Sequence, residues 1–205
     1  MGAQLVRALP GEGGQNAAEM LAGGAKATLL LNVEPGADSA ANGQALARAG
    51  LVVTLSPFKT NLDISDVLLP IAPFSETSGS FVNAEGRLQS FHAVVRPLGE
   101  TRPGWKVLRV LGNLLGLPGF DADSSLAVLA QALPGIQSGQ MVDAARLSNA
   151  ASLHQPDMAP ATLAPCVASI YQLDGLVRRA SSLQLTADAR QAHREASVEA
   201  EQVSA

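Results

Sequence analysis

The sequence predicts an α/β fold, with a doubly wound, mostly parallel sheet that is followed by an irregular and partly helical C-terminal extension. Three apolar runs, at residues 27–33, 51–55 and 66–69, have the unbroken character of strands that are buried on both faces. A helical pattern separates the first two runs, and this strand–helix–strand order is typical of doubly wound sheets. A length of 205 residues suits one domain with an appended segment, so we predict a domain over residues 1–120 and an extension over 121–205.

Capping residues predict how the strands are connected. Asp38 or Ser39 can cap a helix at 45–49, and Gly50 ends that helix before the second strand. The glycine-rich residues 11–14 have no strand before them, so they lack the context of a dinucleotide-binding loop and are predicted as a plain loop.

The most regular later element is a helix over residues 105–115 that begins after Pro103. One face of this helix carries its large apolar residues, which are Trp105, Leu108, Leu111 and Leu115. The other predicted elements are a helix at 17–22, extended segments at 81–82 and 87–95, a helix at 124–133, loops over 134–165, a short helix at 169–179, and a solvated helix or unstructured tail at 186–205.

Composition and charge exclude several classes of function. A net charge of −4 lacks the basic excess that nucleic-acid binding needs. The single Cys166 cannot form an internal disulfide or, by itself, a cysteine-ligated iron–sulfur or zinc site. No apolar run reaches the ~20 residues of a membrane-spanning helix, and the N-terminus lacks the order of a signal peptide. We therefore expect no nucleic-acid partner and no membrane insertion.

Two carboxylates, Glu76 and Glu85, lie in the unusual stretch of residues 67–91 and allow two hypotheses. A facing pair could act as general acid and base, although no histidine, metal-ligand set or activated nucleophile lies near them in sequence. Structurally, Glu76 can accept from amides of the turn that ends at Gly79, and Glu85 can pair with Arg87 or cap its own turn. Asn83 and Gly86 suit positions of positive φ. We favour the structural hypothesis.

The same stretch resembles a known family. Residues Ser65-Asp66-Val67-Leu68-Leu69-Pro70, followed by Glu76-x-x-Gly79-Ser80-x-x-Asn83-x-Glu85-Gly86-Arg87-x-Gln89, are similar to a motif of molybdopterin oxidoreductases. Within that family the resemblance is strongest to one long subunit of bacterial NADH-quinone oxidoreductase, respiratory complex I, whose amino-terminal part carries iron–sulfur clusters. We call it the cluster-bearing subunit of complex I. Residues 96–106 and 176–184 resemble later segments of that subunit.

The resemblance implies a carboxy-terminal portion of the cluster-bearing subunit, with residues 1–120 as a partial molybdopterin oxidoreductase-like domain. Its implied role is structural, in the peripheral electron-transfer arm on the cytoplasmic side of the bacterial inner membrane. The alternative is a module of a molybdopterin-binding oxidoreductase. Under the first hypothesis this chain alone has no active site.

The resemblance also implies which residues once faced a cofactor. We expect no cofactor or metal in this chain, because the family's iron–sulfur clusters belong to an amino-terminal part, and residues 56–60 depart from the usual cofactor-facing stretch. The expected vestigial cradle consists of Glu34, Pro35, Glu76, Gly79, Asn83, Glu85, Gly86 and Arg87.

A local excess of basic side chains suggests where partners bind. Five of them, opposed by Glu85 and Glu100, fall within residues 87–109: Arg87, Arg96, Arg102, Lys106 and Arg109. The expected partners are other subunits of the complex and the upstream domains of the cluster-bearing subunit.

Overall fold

A computed structural model describes residues 2–39, 43–48, 50–143 and 169–194. The chain divides into two compact units, of which the first comprises Met1–Glu34 with Gly43–His154 and the second comprises Pro35–Asn42 with Gln155–Ala205. Cys166, most of the loop predicted at 134–165 and the end of the predicted tail lie outside the described residues. The domain boundary at residue 120 stays a prediction.

A three-stranded parallel sheet lies at the centre of the first unit and confirms the predicted α/β fold. Its strands are β1 (Thr28–Leu31), β2 (Val52–Ser56) and β3 (Val67–Pro70), in the order β1–β2–β3. Asp66 precedes β3 and also stabilises the start of β2, because its carboxylate accepts a hydrogen bond of 2.7 Å from the backbone N–H of Val52. The central strand is therefore held at its first residue as well as along both edges.

The helices agree with the sequence in most places. The α-helices are α1 (Gly2–Leu5), α2 (Ala17–Leu21), α3 (Pro35–Asp38), α4 (Gly104–Leu114), α5 (Ser125–Ala132), α6 (Gly175–Arg179) and α7 (Ser181–Gln184), and residues 187–194 are also helical. Short 3-10 helices occupy Gln44–Arg48 and Phe74–Glu76. These elements confirm the helices predicted near 17–22, 105–115 and 124–133.

The α-helix predicted at 45–49 is wrong, because this segment forms a 3-10 helix. Asp38 does not cap it, since Pro35 starts a helix shortly after the first strand and Asp38 is the last residue of that helix. Proline suits the first helical position because its missing N–H has no intrahelical partner there and its φ is already helical.

The two faces of the parallel sheet differ in burial. On one face Thr28, Leu30 and Thr54 are buried. On the other face Leu29 and Val67 are each 41% exposed, so the predicted burial on both faces is wrong for the outer strands. Helix α4 begins against this second face at the carboxyl ends of the strands, where a Cβ on Gly104 would lie 3.6 Å from Leu31 Cδ1.

A second, antiparallel sheet follows and confirms the extended segment predicted at 81–82 and, as far as residue 91, the one predicted at 87–95. It pairs β4 (Gly79–Val82) with β5 (Leu88–Phe91), and the rings of Phe81 and Phe91 stack at 5.3 Å. The segment at residues 139–142 bonds to the other edge of β5, where Leu88 N–H donates to Gln140 O at 2.9 Å. Leu88 belongs to a small core whose buried members also include Leu5, Leu133 and Val142.

The second unit is organised around Arg178. The Arg178 guanidinium donates to Asp38 Oδ1 at 2.8 Å and to the carbonyl of Gln172 at 2.8 Å. Asp174 caps α6 by accepting from the backbone N–H groups of Leu176 and Val177. Arg178 therefore joins two parts of this unit that are far apart in the sequence.

Candidate functional site

The candidate site lies at the carboxyl ends of the three parallel strands. In open parallel sheets ligands bind beyond these ends, because the loops that leave neighbouring strands meet there. We call the segments that follow β1, β2 and β3 the strand-end rim, which consists of residues 32–34, 57–61 and 71–79. All three segments belong to the first unit.

Polar side chains brace the first two segments of the rim. Asn61 has a φ of 56° and donates from its side-chain amide to the carbonyl of Val33 at 2.8 Å, which ties the second segment to the first. The Ser56 hydroxyl accepts from the backbone N–H of Phe58 at 3.1 Å. Sequence reasoning missed Asn61, although an asparagine in a strand-end loop is one of the few residue types that readily adopts positive φ.

Glu34 and Pro35, the first two predicted cradle residues, lie three and four residues after the end of strand β1. Glu34 is half-buried at the end of the rim, and Pro35 is buried at the start of α3. The division into two units falls between them, so Pro35 belongs to the second unit.

Glu76 holds a distant loop rather than its own turn. Its carboxylate accepts from the backbone N–H of Leu98 at 2.9 Å, which corrects the predicted bond to the turn that ends at Gly79. The loop of residues 92–100 folds back over this region, since Val94 N–H also donates to Ser75 O at 2.9 Å. The partner lies 22 residues away, and local pattern could not identify it.

Asn83 organises the turn of the β4–β5 hairpin. Its side-chain oxygen accepts from the backbone N–H groups of Glu85 at 3.1 Å and Arg87 at 2.9 Å. The positive φ predicted for Gly86 is confirmed at 88°, whereas that predicted for Asn83 is wrong. The Arg87 guanidinium donates to Gly139 O at 2.9 Å and forms no ion pair with Glu85, which is exposed.

A cavity of about 420 Å³ opens between the third rim segment, the loop of residues 92–100 and the start of α4. We call it the basic cavity, and its lining residues are Glu76, Thr77, Ser78, Ala93, Arg96, Pro97, Thr101, Arg102, Pro103, Trp105 and Lys106. Glu85 is not among them, so the two glutamates do not share this cavity. The Lys106 ammonium lies 5.4 Å from the centre of the Trp105 ring, within the range of a cation–π contact.

The five basic residues predicted to act together fall into two groups. Three line the basic cavity: Arg96, Arg102 and Lys106. The other two bind within the chain, since Arg87 contacts Gly139 and Arg109 pairs with Asp123 at 3.2 Å. The basic surface available at this site is therefore smaller than the sequence suggested.

Four of the predicted cradle residues have a structural role that can be assigned. Glu76, Asn83 and Arg87 direct their polar atoms to the chain's own backbone. Gly79 makes room for an aromatic ring, because a Cβ there would lie 2.7 Å from Phe91 Cζ. No set of three His, Cys, Asp or Glu side chains within the described ranges could hold a metal ion. The side chains of Glu76, Asn83 and Arg87 therefore stabilise the backbone of this region.

No helix in the described parts of the chain combines the length and apolar character needed to cross a bilayer.

Comparison with known proteins gives the family. A family model described as molybdopterin oxidoreductase matches residues 1–114, which is more than half of the chain. A predicted formate dehydrogenase of Staphylococcus aureus (strain bovine RF122 / ET3-1) is 42% identical over 52 residues. Counterparts in strains USA300 and NCTC 8325 / PS 47 are each 40% identical over 52 residues.

Each of these matches covers 25% of this chain and 5% of the relative, so the matched segment is a small part of the curated relatives. The resemblance to the cluster-bearing subunit of complex I remains a finer prediction within the family. The parallel sheet, the motif of residues 65–89 and the family match agree. The chain belongs to the molybdopterin oxidoreductase family.

Proposed function

We propose that this chain is a framework module of a molybdopterin-binding oxidoreductase. In this role it shapes the wall beside the redox centre of a larger protein, and the chemistry belongs to other parts of that protein. The match of residues 1–114 to the family carries the proposal, together with the short matched share of the relatives. The names of those relatives suggest formate as a substrate to test.

The hydrogen bonds of the rim and the adjoining hairpin support a framework role. Glu76, Asn83 and Asn61 each bind backbone groups, so their removal would move loops rather than abolish a chemical step. Buried or half-buried polar side chains that are satisfied in this way fix one loop arrangement. A neighbouring redox centre is held in its productive geometry only if the protein segments that surround it are rigid.

A second candidate is the structural portion of the cluster-bearing subunit in the peripheral arm of NADH-quinone oxidoreductase, on the cytoplasmic side of the bacterial inner membrane. The resemblance of residues 96–106 and 176–184 to later segments of that subunit favours this candidate specifically. The hydrogen bonds that the predicted cradle residues form within the chain fit both candidates. Under this hypothesis the chain contributes no redox centre, and its partners are the upstream domains and neighbouring subunits.

Metal analysis of the intact parent protein separates the two candidates. The parent should be purified gently from its own organism, and molybdenum, iron and pterin should be measured per polypeptide. Stoichiometric molybdenum and pterin with formate-dependent dye reduction would support the framework module. Iron without molybdenum, together with NADH-dependent quinone reduction, would support the complex I candidate and refute the molybdopterin-binding module.

A further inference from the structure

We infer that the basic cavity and the loop of residues 92–100 together bind an acidic, partly apolar segment of a partner polypeptide. The inference deepens the proposed function and rests on it, because it names the kind of partner that the framework contacts. Its evidence is the charge of the cavity and the ordered apolar side chains beside it.

The charge balance of the cavity favours a ligand with more than one negative group. Arg96, Arg102 and Lys106 contribute three positive charges, and Glu76 contributes one negative charge, which leaves two positive charges in excess. Glu76 is already engaged with Leu98 N–H. Glu100 lies 3.6 Å from Arg102, but both side chains are largely exposed, so this pair is weak and can be replaced by a partner's carboxylate.

The apolar side chains beside the cavity favour a polypeptide over a small anion. Val94 is 84% exposed and Leu98 is 78% exposed, although the backbone of both residues is held in place. Val94 N–H donates to Ser75 O and Leu98 N–H donates to Glu76. Because the two amides bind neighbouring residues, the two segments lie close together, and exposed apolar side chains that are grouped mark protein interaction sites. A small anion would leave them uncovered.

The walls of the cavity also suit a peptide. Pro97, Pro103 and Trp105 add apolar surface to the lining of the cavity. Aromatic residues and arginines are enriched at the centre of protein interfaces, where each can bury a large area. An aliphatic side chain of the partner can pack on Trp105 while its neighbouring carboxylates reach Arg96 and Lys106.

Trp105 makes this inference directly testable, since it is the single tryptophan of the chain. The acetylated and amidated peptide Glu-Leu-Glu-Leu-Glu should be titrated into the full chain while tryptophan fluorescence is followed. We expect a saturable change that weakens at about 1 M sodium chloride, where charges are screened within about 3 Å. The peptide Gln-Leu-Gln-Leu-Gln controls for charge, and Glu-Gly-Glu-Gly-Glu controls for apolar contact.

The variant Arg96→Gln/Lys106→Gln should raise the dissociation constant of the acidic peptide roughly tenfold, as expected for two exposed ion pairs. Arg48→Gln is the matched control: Arg48 is exposed and is not among the residues that line the cavity, so this variant should bind as the unmodified chain does. Circular dichroism confirms that each variant is folded.

Any of these results would overturn the inference: no response of Trp105 to the acidic peptide, equal weakening by Arg48→Gln, or equal binding of the glutamine or the glycine peptide. Inorganic phosphate should be tested last, alone and in competition with the acidic peptide. If phosphate saturates the response at lower concentration than the peptide and displaces it, the cavity is a small-anion site and the inference fails. These results do not depend on the metal content of the parent protein, so they fail or succeed separately from the proposed function.

Discussion

At the residue scale, a few polar side chains bind backbone N–H groups, either in another segment of the chain or in their own turn. Glu76 accepts from Leu98 N–H, Asp66 accepts from Val52 N–H, and Asn83 accepts from two amides of its hairpin turn. A carboxylate that accepts from a backbone N–H forms a charge-assisted bond, which is stronger than a neutral one. These residues of the family motif therefore act on the backbone.

Removing the Glu76 carboxylate should loosen the loop of residues 92–100. We expect Glu76→Ala to lower the free energy of unfolding by about 1.5–3 kcal/mol, the typical contribution of a hydrogen bond to a charged group. Glu76→Gln retains an oxygen acceptor and should lose less. Denaturation followed by Trp105 fluorescence measures the loss, and hydrogen exchange should accelerate at the Leu98 amide. An unchanged exchange rate at Leu98 would contradict this role.

Removing the Asn83 acceptor should destabilise the β4–β5 hairpin. Asn83→Ala leaves the amides of Glu85 and Arg87 without their side-chain partner, so we expect a loss of about 1–2 kcal/mol. Asn83→Asp keeps the accepting oxygen and is the matched control. Exchange should accelerate at these two amides in the alanine variant. Equal exchange in both variants would show that the side chain does not cap the turn.

At the scale of elements, the sequence predicts strands better than it predicts the contacts between them. The three parallel strands follow directly from their apolar runs. The segment expected as an α-helix at 45–49 forms a 3-10 helix instead, in which Leu46 N–H donates to the carbonyl of Gly43, three residues earlier, at 2.9 Å. The basic cavity could not be foreseen, because it depends on the bond between Glu76 and Leu98, which closes a long loop.

The packing of helix α4 against Phe120 can be tested by substitution at Gly112. Gly112 is buried, and a Cβ there would lie 2.4 Å from ring atoms of Phe120. We expect Gly112→Ala to lose about 1–3 kcal/mol of stability by overpacking, even though alanine is otherwise the better helix former by about 1 kcal/mol. Denaturation followed by Trp105 fluorescence measures the change.

Gly104→Ala is the control in the same helix, since its Cβ would make ordinary contacts of 3.5 Å with Ile71 and 3.6 Å with Leu31. It should be neutral or stabilising. In the background of Phe120→Ala, the cost of Gly112→Ala should largely disappear, because the clashing ring is gone. A full cost in that background would mean that Phe120 is not the cause.

At the scale of the whole molecule, one face of the parallel sheet is incompletely covered. Parallel sheets are almost always covered on both faces, yet Leu29, Leu31 and Val67 are each about 40% exposed on one face. The matched segment is 5% of the length of the curated relatives, so on the proposed function a larger protein surrounds this module. We therefore expect the parent protein to bury this face.

Hydrogen exchange of the isolated chain and of the intact parent provides the comparison. We expect the amides of β1 and β3 to exchange at least about tenfold more slowly in the parent, because burial suppresses local opening. Leu29→Ser should lower the stability of the isolated chain by about 1–2 kcal/mol, because Leu29 is 41% exposed and loses only a partial burial, and should in addition weaken the parent's assembly. The amides of β5 serve as the internal reference, since Leu88 is already buried in its own core. If β1 and β3 exchange equally in both proteins while β5 is unchanged, this apolar face is ordinary surface and carries no contact.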